Sequence, residues 1–123
     1  MQFICYPKCS TCQKAKKWLD GHKIEYTERH IAGDNPSYDE LKEWYEKSGL
    51  SLKKFFNTSG LLYKEMQLKD KLPAMSEEEQ LQLLSTDGML VKRPLIVNGD
   101  MVLVGFKETE WAEKILGTAP NCN

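Results

Sequence analysis

The sequence lacks the features typical of membrane proteins, nucleic-acid-binding proteins and secreted disulfide-rich domains. No apolar run approaches the length needed to cross a membrane, and the formal net charge of −1 offers no basic surface for nucleic acid. The first residues also lack the charged, apolar and small-residue regions of a signal peptide. We therefore expect a cytoplasmic protein that contacts neither nucleic acid nor membrane directly and whose thiols are kept reduced.

Cysteine and histidine are scarce, with four and two residues respectively among 123. Two of the cysteines, Cys9 and Cys12, are three positions apart. A pair of thiols in a reducing compartment is more often catalytic, redox-sensing or metal-binding than a structural disulfide. A tetrahedral zinc site needs four ligands, and the other candidates, Cys5, His22 and His30, have no companion spacing. Zinc binding and a chance pairing therefore stay as the less favoured alternatives to a redox function.

The cysteine pair lies where a strand is predicted to give way to a helix. Residues 1–6 are apolar and rich in aromatic and β-branched types, which favours a buried strand. Pro7 interrupts strand pairing, and Ser10 or Thr11 is expected to cap a helix that runs to about His22. Residues three apart share a helix face, so the two sulfurs are expected to come close enough for a disulfide.

A helix N-terminus activates a thiol, because its unpaired backbone N–H groups and its dipole stabilise the thiolate. Cys9 is predicted at or just before that terminus, and Lys8 adds positive charge beside it. Cys12 lies one turn further in, so we expect it to be less exposed and less activated. This asymmetry predicts that Cys9 attacks an oxidised substrate and that Cys12 resolves the resulting mixed disulfide or sulfenic acid.

The rest of the chain predicts a second strand, a helical block, a hairpin and a last helix. Capping boxes beginning at Ser37 and Ser76 predict two of the helices in a block over about residues 37–88. Two apolar runs around an Asn-Gly turn predict a hairpin within residues 93–105, and a helix is expected over about residues 107–116.

This order predicts an α/β protein with a thioredoxin-like fold. The strand–helix–strand start requires a right-handed crossover, and the closing hairpin adds antiparallel pairs. The expected sheet is therefore mixed and four-stranded, with the helical block as a central insertion. We expect a single domain over residues 1–117 and a flexible tail over residues 118–123.

Pro94 opens the third strand after the long helical block. A cis bond between Arg93 and Pro94 is tolerated there, because nothing yet requires the missing N–H. In thioredoxin-like folds a cis-proline at this place packs beside the active cysteine, and Arg93 would then direct positive charge into the same pocket. An ordinary loop residue at a strand edge is an alternative of equal weight.

The chain resembles the ArsC/Spx family over about residues 3–116. The resemblance rests on three stretches: Tyr-Pro-Lys-Cys-Ser-Thr-Cys-Gln-Lys-Ala-Lys-Lys-Trp-Leu at 6–19, Arg-Pro at 93–94 and Val-Gly-Phe at 104–106. The family includes glutaredoxin-coupled arsenate reductases and Spx-type transcriptional regulators. The resemblance implies the same fold with an inserted helical block, and it matches Cys9 to the nucleophile and Arg93 to the family's Arg-Pro arginine.

Two departures from the reductase pattern bear on the substrate. The resemblance places two further oxyanion-binding arginines where this chain has Asn57 and Lys107. A guanidinium holds an oxyanion bidentately, whereas asparagine supplies no charge and lysine no fork. The chain also carries its own second thiol at Cys12, as the Spx-type regulators do. The similarity is strongest to ArsC-like proteins that share Lys-Lys-Phe-Phe-Asn-Thr-Ser-Gly, found here at 53–60, and have no settled substrate.

These observations predict a monomeric thiol–disulfide oxidoreductase without a bound cofactor. An external thiol system, namely thioredoxin, glutaredoxin or glutathione, is expected to restore the two cysteines. The alternative is an Spx-like redox-sensing regulator that binds the RNA polymerase α subunit, and genuine arsenate reduction ranks third. Six further residues are expected to line the substrate pocket: Lys8, Ser10, Thr11, Asn57, Pro94 and Lys107.

Overall fold

A four-stranded sheet lies between two layers of helices in the computed structural model, which describes residues 1–117. The strands are β1 (Gln2–Cys5), β2 (Thr27–His30), β3 (Leu95–Asn98) and β4 (Met101–Val104). Their order is β2-β1-β3-β4, with β1 and β2 parallel and the other two pairs antiparallel. The predicted mixed thioredoxin-like sheet is confirmed. The tail predicted over residues 118–123 lies outside the described residues.

Six α-helices accompany the sheet within residues 1–117. They are α1 (Ser10–Gly21), α2 (Tyr38–Ser48), α3 (Leu61–Glu65), α4 (Leu68–Lys71), α5 (Glu77–Thr86) and α6 (Glu108–Leu116). Three short 3₁₀ turns, Leu52–Phe55, Leu72–Ala74 and Gly88–Leu90, join the helices of the central block. All segments from α2 to the last of these turns lie between β2 and β3, so they form the insertion.

Local sequence signals account for most of these boundaries. The predicted capping boxes are present at Ser37 with Glu40 and at Ser76 with Glu79, and each satisfies two backbone N–H groups at a helix start. The hairpin is present, but its turn is displaced by one residue from the predicted Asn-Gly position. Asn98 still pairs with Met101, so the two-residue loop is Gly99–Asp100.

The sheet buries a different set of side chains on each face, because successive residues of a strand point to opposite sides. Phe3 and Cys5 of β1 pack with α1 and α6, in a cluster that also contains Leu19 and Trp111. Ile4 of β1 packs into the larger cluster formed by the insertion. The face that carries Cys5 is therefore also the face covered by the helix that begins after Cys9.

The end of the insertion is fixed directly to the sheet. A Cβ atom built on Gly88 would lie 1.7 Å from the carbonyl oxygen of Ile31, just after β2, so only glycine allows this backbone contact. Two further backbone bonds, Asn57 N–H to Leu90 O at 2.8 Å and Lys92 N–H to Phe55 O at 2.8 Å, tie the insertion to the segment that leads into β3. These contacts set the position of the residue that follows, Arg93.

Candidate active site

The loop between β1 and α1 holds Cys9 at the start of the helix. The Cys9 N–H donates to Tyr6 O at 2.9 Å, and the Gln13 side-chain amide donates to Pro7 O at 3.0 Å. The backbone of Cys9 is extended, with φ −83° and ψ 124°, and the helix starts at the next residue. Cys9 is therefore the N-cap residue of α1.

The prediction that Ser10 or Thr11 caps this helix is wrong. Both residues lie inside its first turn and are exposed. The turn closed by the Cys9 N–H starts the helix one residue earlier than the capping propensities of serine and threonine indicate. As a consequence, a sulfur rather than a hydroxyl occupies the position that faces the unpaired N–H groups of the helix start.

Cys9 is the more acidic thiol of the pair. Burial opposes its ionisation, but hydrogen bonds from the Cys12 backbone N–H, the Arg93 side chain, the Cys12 thiol and the Thr11 N–H outweigh this cost and lower the pKa of Cys9. These donors are the ones that a helix N-terminus and a neighbouring guanidinium provide. A lowered pKa raises the fraction of thiolate at neutral pH, which is the form that attacks disulfides.

Cys12 is the less acidic and more deeply buried thiol of the pair. Only 2% of its surface is exposed, and its sulfur accepts the Tyr6 N–H at 3.4 Å. Burial raises the pKa of Cys12 to about 12, and the neighbouring Cys9 also raises it, although the Tyr6 N–H acts in the other direction. Cys5, Cys9 and Cys12 are all free thiols in this structure.

Arg93 comes to the site from the far end of the chain. The peptide bond between Arg93 and Pro94 is cis, and the Pro94 carbonyl accepts the Gly105 N–H at 2.8 Å, which places the pair directly before β3. The guanidinium carbon lies 5.1 Å from the centre of the Tyr6 ring. Within residues 1–117 the buried Nε and Nη1 of Arg93 have no hydrogen-bond partner. A bound anion would supply the acceptors that these donors lack.

The other predicted pocket residues divide into two groups. Lys8, Ser10 and Thr11 surround Cys9 in sequence and are exposed, while Pro94 is buried behind Arg93. The cation that lowers the pKa of Cys9 by a hydrogen bond is Arg93.

The second group consists of Asn57 and Lys107, which belong to other segments of the chain. The Asn57 side-chain oxygen accepts from the Ser59 hydroxyl at 3.4 Å within its own turn. Lys107 is the N-cap residue of α6 and lines a cleft of about 440 Å³. The cleft is lined by Leu50, Ser51, Lys53, Lys54, Phe56, Thr58, Lys92, Val104, Lys107 and Glu110, and Cys9 is not part of it.

A small cavity behind the cysteine pair brings in residues that sequence reasoning missed. It has a volume of about 160 Å³ and is lined by Cys5, Pro7, Cys12, Gln13, Lys16 and Glu28. The Cys5 thiol donates to Glu28 Oε2 at 3.7 Å, and Lys16 Nζ lies 2.9 Å from Glu28 Oε1. Burial raises the pKa of Cys5 to about 11, and Glu28 reinforces the shift. Glu28 reaches this position because β2 pairs in parallel with β1, and no local sequence signal gives that register.

Two further features are absent from the described part of the chain, a cluster of metal ligands and a membrane-spanning helix. No group of three or more His, Cys, Asp or Glu side chains among residues 1–117 is arranged to hold a metal ion. In the same range, no helix has the length and apolar character needed to cross a membrane.

A thioredoxin-like sheet, an N-cap cysteine of lowered pKa and a cis Arg-Pro bond beside it together define a thiol-bearing protein of the thioredoxin-like class. Residues 5–114 match the sequence profile of the ArsC family, and the chain belongs to that family.

Known relatives and solved structures agree with this assignment. The chain is 61% identical to the uncharacterized protein YusI of Bacillus subtilis, over 92% of this chain and 96% of YusI. It is 30% identical to the global transcriptional regulator Spx of Staphylococcus aureus, over 85% of this chain and 78% of Spx. An ArsC family related protein from Bacteroides fragilis is 62% identical, with a TM-score of 0.89 over 91% of this chain and 94% of that one. A possible arsenate reductase from Streptococcus mutans is 43% identical, with a TM-score of 0.85 over 95% and 97%.

Proposed function

We propose that this chain is a thiol–disulfide oxidoreductase in which Cys9 and Cys12 form the redox pair. The observation that carries the proposal is the asymmetry of the two thiols. Cys9 caps α1 and has a lowered pKa, whereas Cys12 is buried one turn later and has a raised pKa. A half-buried acidic thiol suits the attack on a substrate, and a buried thiol one turn away suits the release of the product.

The proposed reaction transfers two electrons from the cysteine pair to a disulfide substrate. The Cys9 thiolate attacks one substrate sulfur, the substrate S–S bond breaks, and the departing sulfur leaves as a thiolate that takes a proton from water. Cys12 then loses its proton and attacks the Cys9 sulfur. This forms the Cys9–Cys12 disulfide and releases the second substrate thiolate. An external thiol, namely thioredoxin, glutaredoxin or glutathione, reduces the new disulfide by the same exchange chemistry.

Arg93 has two tasks in this proposal. Its hydrogen bond favours the Cys9 thiolate, and its unpartnered Nε and Nη1 offer donors to an anionic group on the substrate. The reaction needs a reduced pair at rest, so we place the protein in the cytosol, where thiols are kept reduced. We further propose that it acts as a monomer and binds no cofactor.

Trapping the mixed disulfide tests the proposal. A Cys12→Ser variant treated with oxidised glutathione is expected to accumulate a glutathione adduct on Cys9, because the resolving thiol is missing. In the wild type the adduct is expected to convert to a Cys9–Cys12 disulfide. A Cys9→Ser control is expected to form little adduct. Peptide mass spectrometry reads all three. An adduct that resolves equally fast in the Cys12→Ser variant would contradict the assignment of Cys12.

A second candidate function is redox-controlled regulation of transcription. It is favoured by the 30% identity to a protein named as a global transcriptional regulator, over most of both chains. In that case the Cys9–Cys12 disulfide would control binding to a partner, for which the RNA polymerase α subunit is the candidate. A pull-down with the purified α subunit, under oxidising and reducing conditions, separates the two functions. Binding that changes with the redox state supports regulation, whereas no binding in either state supports the enzyme.

Arsenate reduction is the third candidate, and similarity to the possible reductase from Streptococcus mutans is the observation in its favour. Arg93 lowers the pKa of Cys9, and the two further arginine positions of the reductase pattern are Asn57 and Lys107 in this chain. This arrangement offers an oxyanion one bidentate partner. A coupled assay with arsenate and glutaredoxin or thioredoxin decides the matter, and we expect turnover no faster than that of a Cys9→Ser control.

A further inference from the structure

The closing step of the proposed reaction requires a route for a proton. Cys12 must become a thiolate before it attacks Cys9, but its sulfur is almost completely buried and accepts the Tyr6 N–H. Burial keeps this thiol protonated at neutral pH, with a pKa of about 12. The unassisted thiolate is therefore rare, and the step gains from a base that can reach Cys12.

We propose that Glu28 takes up the proton of Cys12 through the small cavity that both residues line, and passes it to solvent. The inference rests on the proposed function, because it concerns the second half of that reaction. It assigns a role to a strand residue that has no part in holding the substrate.

The geometry of this cavity carries the proposal. Its six lining residues include one carboxylate, Glu28, together with the thiols of Cys5 and Cys12. A volume of about 160 Å³ has room for several water molecules, and water can relay a proton between polar groups that do not touch. The Glu28 side chain is 37% exposed, so its carboxylate connects the cavity with bulk solvent.

The neighbours of Glu28 hold its carboxylate in place. Lys16 binds one carboxylate oxygen at 2.9 Å, and the Cys5 thiol donates to the other at 3.7 Å. These two contacts fix the carboxylate in the lining of the cavity. Four other titratable groups face this cluster from the surrounding elements. Cys9 at the start of α1 raises the pKa of Cys12, and Arg93 before β3 lowers the pKa of Cys9. Tyr26 before β2 has its pKa raised by burial, by Asp20 of α1 and by Glu28, and Asp20 also raises the pKa of Lys16.

The proposed step balances as follows. The proton of Cys12 passes to Glu28, and the Cys12 thiolate attacks the Cys9 sulfur of the mixed disulfide. The bond between Cys9 and the substrate sulfur breaks, and that sulfur departs with the electron pair as a thiolate. Glu28 then returns the proton to water, so the carboxylate is regenerated and the electrons stay within the sulfur atoms.

Reaction with dithiobis-nitrobenzoate, an aromatic disulfide, separates the two halves of the reaction. Attack by Cys9 releases the first coloured thiolate and leaves a mixed disulfide on Cys9. Attack by Cys12 releases the second thiolate and leaves the Cys9–Cys12 disulfide. Stopped-flow absorbance of the full-length chain over a range of pH therefore gives one rate for each cysteine.

Glu28→Gln is expected to leave the first rate unchanged and to slow the second by about 10²-fold at neutral pH, the lower end of what a positioned base contributes. The deficit is expected to shrink as the pH rises, because hydroxide then deprotonates Cys12 directly. Glu28→Asp keeps a carboxylate and is expected to recover part of the second rate. Glu25→Gln removes an exposed carboxylate close in sequence and is the control, with both rates unchanged.

The two release rates distinguish a failure of the cysteine pairing from a failure of the proton route. If the wild type gives no second release, the proposed pairing of Cys9 with Cys12 is wrong. If the wild type closes and Glu28→Gln closes equally fast, the pairing stands and the proton route is overturned. If Glu28→Gln slows the second step by the same factor at every pH, the proton route is also overturned. That pattern would indicate that the substitution has moved the Cys9 and Cys12 sulfurs apart. A Cys5→Ala variant removes the longer of the two contacts to Glu28, so it is expected to slow the second step less than Glu28→Gln does. A loss as large as that of Glu28→Gln would assign the role of base to the Cys5 thiol and overturn the proposal.

Discussion

Replacing Arg93 by glutamine is expected to raise the pKa of Cys9. The Arg93 side chain donates a hydrogen bond to Cys9 and supplies the positive charge at the site, while the Cys12 and Thr11 N–H groups remain in the variant. An opposite charge within hydrogen-bonding range shifts a pKa by about one to three units, and Cys9 is only half-buried. We therefore expect a rise of about one to two units. Below the pKa this corresponds to a roughly 10- to 100-fold smaller thiolate fraction.

The pH dependence of alkylation by iodoacetamide measures this shift, with mass spectrometry confirming that Cys9 is the modified residue. Lys8→Gln is the matched control, since it removes a cation next to Cys9 in sequence whose side chain is exposed and screened by solvent. We expect a change of less than about half a unit in that variant. Equal shifts in the two variants, or none in Arg93→Gln, would refute the reasoning that Arg93 activates Cys9.

Two further predictions concern the scaffold. Gly88→Ala places a Cβ 1.7 Å from the Ile31 carbonyl oxygen, so the free energy of unfolding in urea is expected to fall by about 3 kcal/mol or more. The control is Gly21→Ala, whose Cβ meets no atom within 4 Å and which should change the free energy of unfolding by less than about 1 kcal/mol. Arg29 donates two hydrogen bonds from its guanidinium to the Glu40 carboxylate and lowers the pKa of Glu40 from 4.5 to about 2. Ionised Glu40 therefore stabilises the fold fully above pH 4.5. The difference in free energy of unfolding between wild type and Glu40→Gln should disappear as the pH falls to about 2. A difference that stays constant with pH would contradict the claim that the ion pair with Arg29 stabilises the fold.

The order of strands and helices could be predicted because the signals for it are local. The capping boxes at Ser37 and Ser76 depend on residues three positions apart, and a tight turn with alternating apolar residues predicts the hairpin. The sequence allows either a cis-proline or an ordinary loop residue at Pro94, and the structure has the cis form. The position of Cys9 beside a helix start also followed from the sequence.

The parts of the site that the sequence did not predict depend on packing between distant segments. Asn57 bonds Ser59 within its own turn and Lys107 is the N-cap residue of α6, and their place in the substrate pocket stays a prediction. Glu28 reaches the cavity behind Cys12 through the register of two parallel strands, which no single stretch of sequence encodes. The N-cap residue of α1 is Cys9 and not Ser10 or Thr11, because the backbone turn closed by the bond from Cys9 N–H to Tyr6 O outweighs the capping preference of serine and threonine.

The most direct test of the account is the identity of the bond formed by Cys9 under mild oxidation. Wild-type protein is treated with limiting oxidised glutathione, its free thiols are blocked at low pH, and its peptides are mapped by mass spectrometry without reduction. The account predicts an intramolecular Cys9–Cys12 disulfide with Cys5 still reduced. A Cys9 that stays glutathionylated beside a free Cys12 thiol would contradict the central claim that these two residues form the redox pair.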